Sequence, residues 1–376
     1  MIVQAAHSPR VRSTATAFPR HSVDQAGAIA ALQALFPEED PDRVDVLVRR
    51  SGVKQRCLAV PVEETIAPTT FTDRNRVYRE VALEIAQRAA AEALQRAGMA
   101  PTEIDVLVDV SCTGICIPAL DVALVPLLGL RSDIKRLPIT ESGCAAGALA
   151  LGLAADLARA GKRVLIVAVE LCSLSLVPED RTRTNLVASL LFGDGAAAAI
   201  VAPDGPGPTI EAVGSDLIPD TVGIMGFDVG SHGLRIVLER ELPQVVSAYL
   251  PGAVMRFLER NGRAAADIGI HLVHPGGRKV LEAYQAAFQI DRDELRHSYG
   301  VLRDHGNLSS ASILAVLDRT LAEEALRAER EALAPRDALL VAMGPGMSLE
   351  LAVLRFQGAP RDERWVAPAH AAASAT

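Results

Sequence analysis

Along this chain, short runs rich in Val, Ile and Leu alternate with longer segments of helical spacing, and that alternation constrains the fold more than any other feature. A short apolar run bounded by turns reads as a buried strand, whereas apolar residues recurring at i, i+3 and i+4 read as one face of a helix. The two in alternation are the pattern of an α/β fold. Strands are predicted at Asp105–Val110, Arg136–Thr140, Val164–Val169 and Ala196–Val201, then at Ile268–Val273, Leu339–Met343 and Leu349–Arg355. Helices are predicted over Tyr78–Ala97, Cys144–Ala160, Leu242–Asn261, Arg278–Phe288 and Ser310–Arg330. In the last, Leu314, Leu317 and Leu321 form one stripe, with Asp318, Arg319, Glu323 and Glu324 away from it.

The densest cluster of Pro and Gly, Pro203–Pro208 (PDGPGP), lies a little past the midpoint and would interrupt helix or strand alike. It divides the chain into a half at 1–205 and a half at 206–360, leaving 361–376 as a flexible tail. Each half closes on a Gly-rich turn feeding an apolar strand: Phe192–Gly195 before AAAAIVA, and Gly344–Gly346 before MSLELAVLRF. This is a faint mark of internal duplication.

Composition narrows the function. With 376 residues, 49% of them hydrophobic, the chain can bury a large core. Its 38 Lys and Arg against 46 Asp and Glu leave a net charge of −8, with no broad basic field for nucleic acid. The N-terminus lacks the charged-then-apolar order of a signal peptide, and the longest small apolar stretch, Gly143–Ala155, is short of the ~18–20 residues of a bilayer span. A cytoplasmic protein without a membrane span is expected. Five cysteines, odd in number and without paired C-x-x-C spacing, suit neither a disulfide framework nor a zinc site, so no metal is expected.

Three positions could carry chemistry. Cys144 follows the strand RLPIT through ESG and opens a helix, where unpaired N–H groups and the helix dipole favour a thiolate; a small buried structural Cys is the other reading of the same position. Around it, Gly143, Ala145, Ala146 and Gly147 allow close approach of neighbouring elements. His274 ends the strand IHLVH just before Pro275-Gly276-Gly277, at a strand C-terminus of the kind that faces ligand crevices in α/β sheets. His271 points to the opposite face, which argues against a shared metal. Asn307 lies in the polar turn GNLSSAS, where Ser309 or Ser310 could cap the following helix. Together they supply a nucleophile, an imidazole and an amide donor for an oxyanion, the parts of a thiol-based acyl transfer.

Cys144 in ESGCAAG, His274 in HLVHPGGRKVLE, Asn307 in GNLSSASILAVLD and Gly344-Pro345-Gly346 in GPGMSLELAVL, in that order and spacing, resemble the type III polyketide synthases, the chalcone synthase-like family, in a bacterial form. The resemblance runs from about Val11 to Phe356. It implies a thiolase-like fold of two pseudo-duplicated αβαβα halves, assembled as a homodimer. It implies that Cys144 takes the acyl group from a coenzyme A thioester, while His274 and Asn307 bind the thioester carbonyl, help decarboxylate malonyl-CoA and stabilise the enolate. His274 is expected to hold the thiolate as an ion pair. Coenzyme A thioesters are then substrates and no cofactor is implied; whether an acyl carrier protein delivers the starter stays open.

The resemblance also assigns lesser roles. Phe192 matches a gatekeeper between the CoA tunnel and the cavity, and Ile236 replaces a second gatekeeping Phe, costing the gate one aromatic face. Cys112, Thr113, Ile117, Cys172 and Ser175 match cavity positions, with Gly344, Pro345 and Gly346; Ile117 replaces a methionine that in plant relatives crosses into the partner's cavity. Arg43, Arg50, Gly143 and Leu238 match CoA-binding positions, Val46 replaces a basic residue, and Arg49, Lys54 and Arg56 thicken the basic patch. A wall of small and aliphatic side chains suits a medium- or long-chain fatty acyl starter, giving an alkylpyrone or alkylresorcinol. An aromatic or malonyl starter is the alternative, as is a ketoacyl-acyl-carrier-protein synthase III making one condensation. That family carries Gln-Ala-Asn after its histidine, where this chain has Pro-Gly-Gly. A papain-like hydrolase fails for want of the Cys-Gly-Ser-Cys-Trp context. A non-catalytic thiolase-fold protein would show a lost triad residue, and none is lost.

Overall fold

The computed structural model describes residues 7–230, 233–330 and 334–357. The expected tail at 361–376 lies outside the described residues. The first half runs β1 (Arg10–Ala17), β2 (His21–Asp24), α1 (Gln25–Leu35), α2 (Pro41–Arg50), β3 (Gln55–Leu58), α3 (Val62–Thr65), α4 (Phe71–Ala97), β4 (Val106–Val110), α5 (Leu120–Leu128), β5 (Lys135–Ile139), α6 (Ala146–Arg159), β6 (Val164–Leu171), α7 (Arg183–Leu191) and β7 (Asp194–Ala202). The second runs β8 (Thr209–Leu217), β9 (Met225–Gly230), β10 (Gly233–Leu238), α8 (Leu242–Arg260), β11 (Ile268–Val273), α9 (Arg278–Phe288), α10 (Arg296–His305), α11 (Ala311–Arg330), β12 (Arg336–Gly344) and β13 (Ser348–Phe356). PDGPGP is the link between β7 and β8.

Nine strands form one sheet in the order β11-β12-β13-β8-β1-β7-β6-β4-β5. Outward from its middle the same pairings occur twice. β1 is antiparallel to β7, β7 to β6, and β6 is parallel to β4. Likewise β8 is antiparallel to β13, β13 to β12, and β12 is parallel to β11. The halves meet at one rung, Arg10 opposite Thr209.

The apolar faces of these strands decide the layering. Leu107, Leu165, Val167 and Ala198 pack under α4 and α5, while their alternating neighbours Val108, Ile166 and Ala199 pack against α6 and α11. On the other side Leu340 and Ala342 reach the same central helices, whereas Leu339, Val341 and Val353 lie under α8 and α9. The result is five layers, helix, sheet, helix, sheet, helix, with strands covered on both faces and therefore almost wholly apolar. Thr14 Oγ1 donates to Asp318 across the centre at 2.7 Å, and Arg96 pairs with the same carboxylate at 3.0 Å. No helix among the described residues is long and apolar enough to cross a membrane.

Candidate active site

Cys144 does not open α6 directly. It sits in one 3-10 turn, Gly143–Ala145, that delivers the chain from β5 into the helix. Gly143 has φ +51°, and a Cβ there would come within 2.5 Å of the Pro345 ring. One turn on, a Cβ at Gly147 would lie 2.2 Å from the Ser310 carbonyl oxygen. These contacts are close because the Cys144 turn belongs to the first half, and Pro345 and Ser310 to the second. Small residues at this seam let the two halves share a site.

From the second half come the other two residues. His274 extends β11 by one rung, its N–H donating to the Val341 carbonyl at 2.8 Å; its ring is 2% exposed and Nδ1 has no partner among the described residues. His271 is bonded instead to the Tyr284 hydroxyl at 2.9 Å, on the other side of the strand. Asn307 is strapped to α7's end: its N–H donates to the Leu191 carbonyl at 2.8 Å, and Gly193 N donates to the Asn307 carbonyl at 3.0 Å. Its Oδ1 is occupied, accepting from Ser309 N at 2.9 Å and Ser312 Oγ at 3.3 Å, while Nδ2 makes a long bond to the Gly276 carbonyl at 3.4 Å and the side chain also acts on the Cys144 thiol. The amide is thereby oriented as a donor.

Ser309 joins two thiols, 3.5 Å from both Cys144 Sγ and Cys112 Sγ, with its own φ at 49°. Burial pushes the Cys144 thiol up to about 11, against the bonds from Ser309, its own turn and Asn307. Burial also pushes the His274 imidazole down to about 4. The lowered thiol expected from a helix start is therefore outweighed by desolvation, and each group by itself is held neutral.

Cys144, His274 and Asn307 line one cavity of about 620 Å³. Arg43, Arg50, Arg183, Arg240, Arg278 and Lys279 also border it, against the acidic Glu39 and Glu239. Leu238 lines it as expected. A second cavity of about 40 Å³ lies on the other side of Cys144, walled by Cys112, Thr113, Gly143, Cys172, Ser175 and Ile236 among others, with Pro345. Phe192 borders both, and a third cavity besides.

Ile117 is 95% exposed and lines none of these cavities in its own chain, where the resemblance has its counterpart enter the partner's cavity. Several other expectations need correction. Of the Gly-Pro-Gly turn only Pro345 reaches the wall; Gly344 backs onto Ser142 and Ala145, and the Gly346 carbonyl accepts from Thr221 Oγ1 at 3.0 Å. Ile236 lines the inner cavity, and Phe227, paired with it across the β9–β10 hairpin, adds an aromatic ring to the same wall. Arg49 is tied to Asp45 at 2.7 Å and Lys54 to Gln25 at 3.2 Å, both away from the cavity, and Arg56 is buried elsewhere. Ser310 does not cap α11: its hydroxyl donates to Glu170.

Glu170, like Phe227, is a residue the sequence reading missed. Fully buried, it also accepts from Thr113 Oγ1 at 2.7 Å, Cys112 N at 3.1 Å and Cys112 Sγ at 3.4 Å, and burial raises its carboxyl. A lone carboxylate inside VLIVAVEL was the available signal, since such a group is buried only where partners await it.

Comparison with known proteins follows the same layout. The models for the N-terminal and C-terminal domains of chalcone and stilbene synthases match residues 11–206 and 209–357. The chain is 37% identical to the 1,3,6,8-tetrahydroxynaphthalene synthase of Streptomyces peucetius subsp. caesius, over 92% of this chain and 93% of that one. It is 29% identical to the phloroglucinol synthase of Pseudomonas fluorescens, over 89% and 96% of the two chains. The crystal structure of the tetrahydroxynaphthalene synthase of Streptomyces coelicolor, a bacterial type III polyketide synthase, superposes with a TM-score of 0.87 at 31% identity, covering 93% of this chain and 100% of that one.

Proposed function

The chain belongs to the chalcone and stilbene synthase family of type III polyketide synthases, acyltransferases of thiolase-like fold, and on that premise we propose that it extends an acyl-CoA starter by repeated decarboxylative condensation with malonyl-CoA on Cys144. The observation that carries this reading is the convergence of Cys144, His274 and Asn307 on one cavity bordered by basic side chains. The CoA phosphates sit against Arg43, Arg50 and their neighbours, and the thioester reaches inward. His274 takes the Cys144 proton, the sulfur attacks the starter carbonyl, and CoA thiol leaves. Malonyl-CoA then places its thioester oxygen on Asn307 Nδ2 and the His274 ring N–H. Its carboxylate departs as CO2, and those donors stabilise the enolate. The enolate carbon attacks the acyl thioester, and Cys144 is freed to accept the longer chain. No cofactor beyond CoA as carrier enters these steps.

The starter in this reading is an aliphatic acyl-CoA of medium or long chain, and the product an alkylpyrone or alkylresorcinol, because the wall at Cys112, Thr113, Cys172, Ser175 and Ile236 is small or aliphatic. A second reading, an acetyl or malonyl starter, is favoured by the inner cavity's mere 40 Å³ and by the products named for the relatives. Mass spectrometry of products from malonyl-CoA with starters from acetyl- through palmitoyl- to coumaroyl-CoA separates them. Extension of octanoyl-CoA and longer chains by two or more acetate units supports the first reading. Products from malonyl-CoA alone support the second, and a single extension that needs acyl carrier protein overturns both.

A further inference from the structure

Arg56 lines a third cavity, of about 40 Å³, enclosed by α1, α3 and α7 behind Phe192. Its side chain is buried, at 8% exposure, and makes no hydrogen bond or ion pair among the described residues; Nε is sealed off with no partner. Burial lowers its guanidinium to about 10, still a cation at neutral pH. Asp194 is the opposite charge that acts on it, yet the Asp194 oxygens are taken by Ala59 N at 2.6 Å, Ser173 N at 2.8 Å and the Ser173 hydroxyl.

The other polar side chains of this cavity have no donors to spare. Thr65 Oγ1 donates to the Pro61 carbonyl at 3.1 Å, and Ser189 Oγ to the Asn185 carbonyl at 2.6 Å. Asn185 Nδ2 donates to Val177 and Asp180 carbonyls at 2.9 and 2.8 Å. Most of what remains is apolar: Leu32, Leu58, Val62, Ile66, Leu176 and Ala188. An apolar chamber with one uncommitted cation matches a ligand that is aliphatic and ends in an anion. The chamber's volume, about 40 Å³, is small and suits a compact anionic end such as a carboxylate. Cys172, Phe192 and Ile236 line both this chamber and the one containing Cys144, so the two share a wall.

We propose that Arg56 forms a carboxylate subsite behind Phe192, and that the starter this enzyme prefers is an acyl group carrying a carboxylate at its far end, the mono-CoA thioester of a dicarboxylic acid. The inference rests on the reading of Cys144 as the acyl carrier. The guanidinium fork receives both carboxylate oxygens, giving the buried cation the partner it lacks in the free enzyme.

The test compares carboxylate-ended and methyl-ended starters of matched length, glutaryl- against pentanoyl-CoA and suberyl- against octanoyl-CoA, with malonyl-CoA as extender and the full chain as enzyme. At one length or the other, the wild type should favour the carboxylated starter in kcat/KM. Arg56→Gln should lower that ratio roughly 10- to 100-fold, the worth of a charge-assisted hydrogen bond, with Arg56→Lys between the two. An equal loss on both classes marks Arg56 as a mere balance for Asp194 and overturns the subsite. Should Arg56→Gln not fold, the wild-type ratio decides alone, and preference for the methyl-ended starter at both lengths overturns it. Extension of methyl-ended starters only, or products from malonyl-CoA alone, removes this inference and leaves the condensing reading intact; no condensation product from any of these mixtures removes both.

Discussion

In the nucleophile turn the donors at the start of α6 and the hydroxyl of Ser309 favour a thiolate, burial disfavours it, and burial is the larger. In the proposed mechanism the reactivity comes from His274. Alkylation of Cys144 by iodoacetamide, followed against pH, should proceed in the wild type far below the thiol's isolated value of about 11. In His274→Gln the profile should move up toward that value, with at least a tenfold loss of rate at pH 7; superimposable profiles would sink the proton-transfer assignment. Cys144→Ala should lose condensation and keep part of the malonyl-CoA decarboxylation, read as CO2 release without product, because His274 and Asn307 remain. Retained condensation would overturn the nucleophile. At this scale much was legible in the sequence, since Cys144, His274 and Asn307 each sit in a local motif whose neighbours fix the backbone. Phe227 and Arg56 were not. One reaches the site through cross-strand pairing with Ile236, and the other is hidden by packing, and neither relation has a local spacing to read.

Among elements, strands covered on both faces announced themselves as apolar runs, and α9 has the bounds its periodicity predicts, Arg278–Phe288. β1 escaped because RVRSTATA reads as polar, although Ser13 and Thr14 are buried and their hydroxyls are bonded to the Ala93 carbonyl and to Asp318, both at 2.7 Å. β8, TIEAVGSDL, is covered for only part of its length and was missed for the same mixed pattern. The start of α6 was misplaced by two residues because the 3-10 turn that presents Cys144 has no periodicity of its own. Where α6 meets the start of α11 there is no room at Gly147. Gly147→Val should cost about 1–3 kcal/mol or more, seen as a melting temperature lower by several degrees, because branched carbon would displace the Ser310 carbonyl. An unchanged melting curve would mean that the seam is looser than its geometry.

For the whole molecule, two further expectations follow. β5 is an edge strand, and near it Ile117 is 95% exposed with Ile115, Val122 and Leu127 also uncovered, a surface suited to a second copy of the chain. Light scattering at micromolar concentration should give twice the chain's mass, and Ile117→Asp should return it to the monomer; a monomeric wild type would refute this. Close by, burial and Asp121 raise the Asp109 carboxyl to about 7, and its Oδ1 has no partner among the described residues. A carboxyl raised in the folded state stabilises most below its unfolded value and loses that contribution as pH rises through about 7. Asp109→Asn should therefore raise the melting temperature more at pH 8 than at pH 5, and an equal effect at both would exclude the titration.

The seam between the halves also sets an order in time. Cys144 leaves the ribosome well before His274 and Asn307, and the second half supplies Ser309, Asn307 and the Pro345 wall that enclose it. Until those residues arrive the thiol is an ordinary one, open to solvent and with nothing to take its proton. On the proposed mechanism the nascent chain thus carries its nucleophile unarmed, and enzymatic competence is acquired late, at the moment the second half docks.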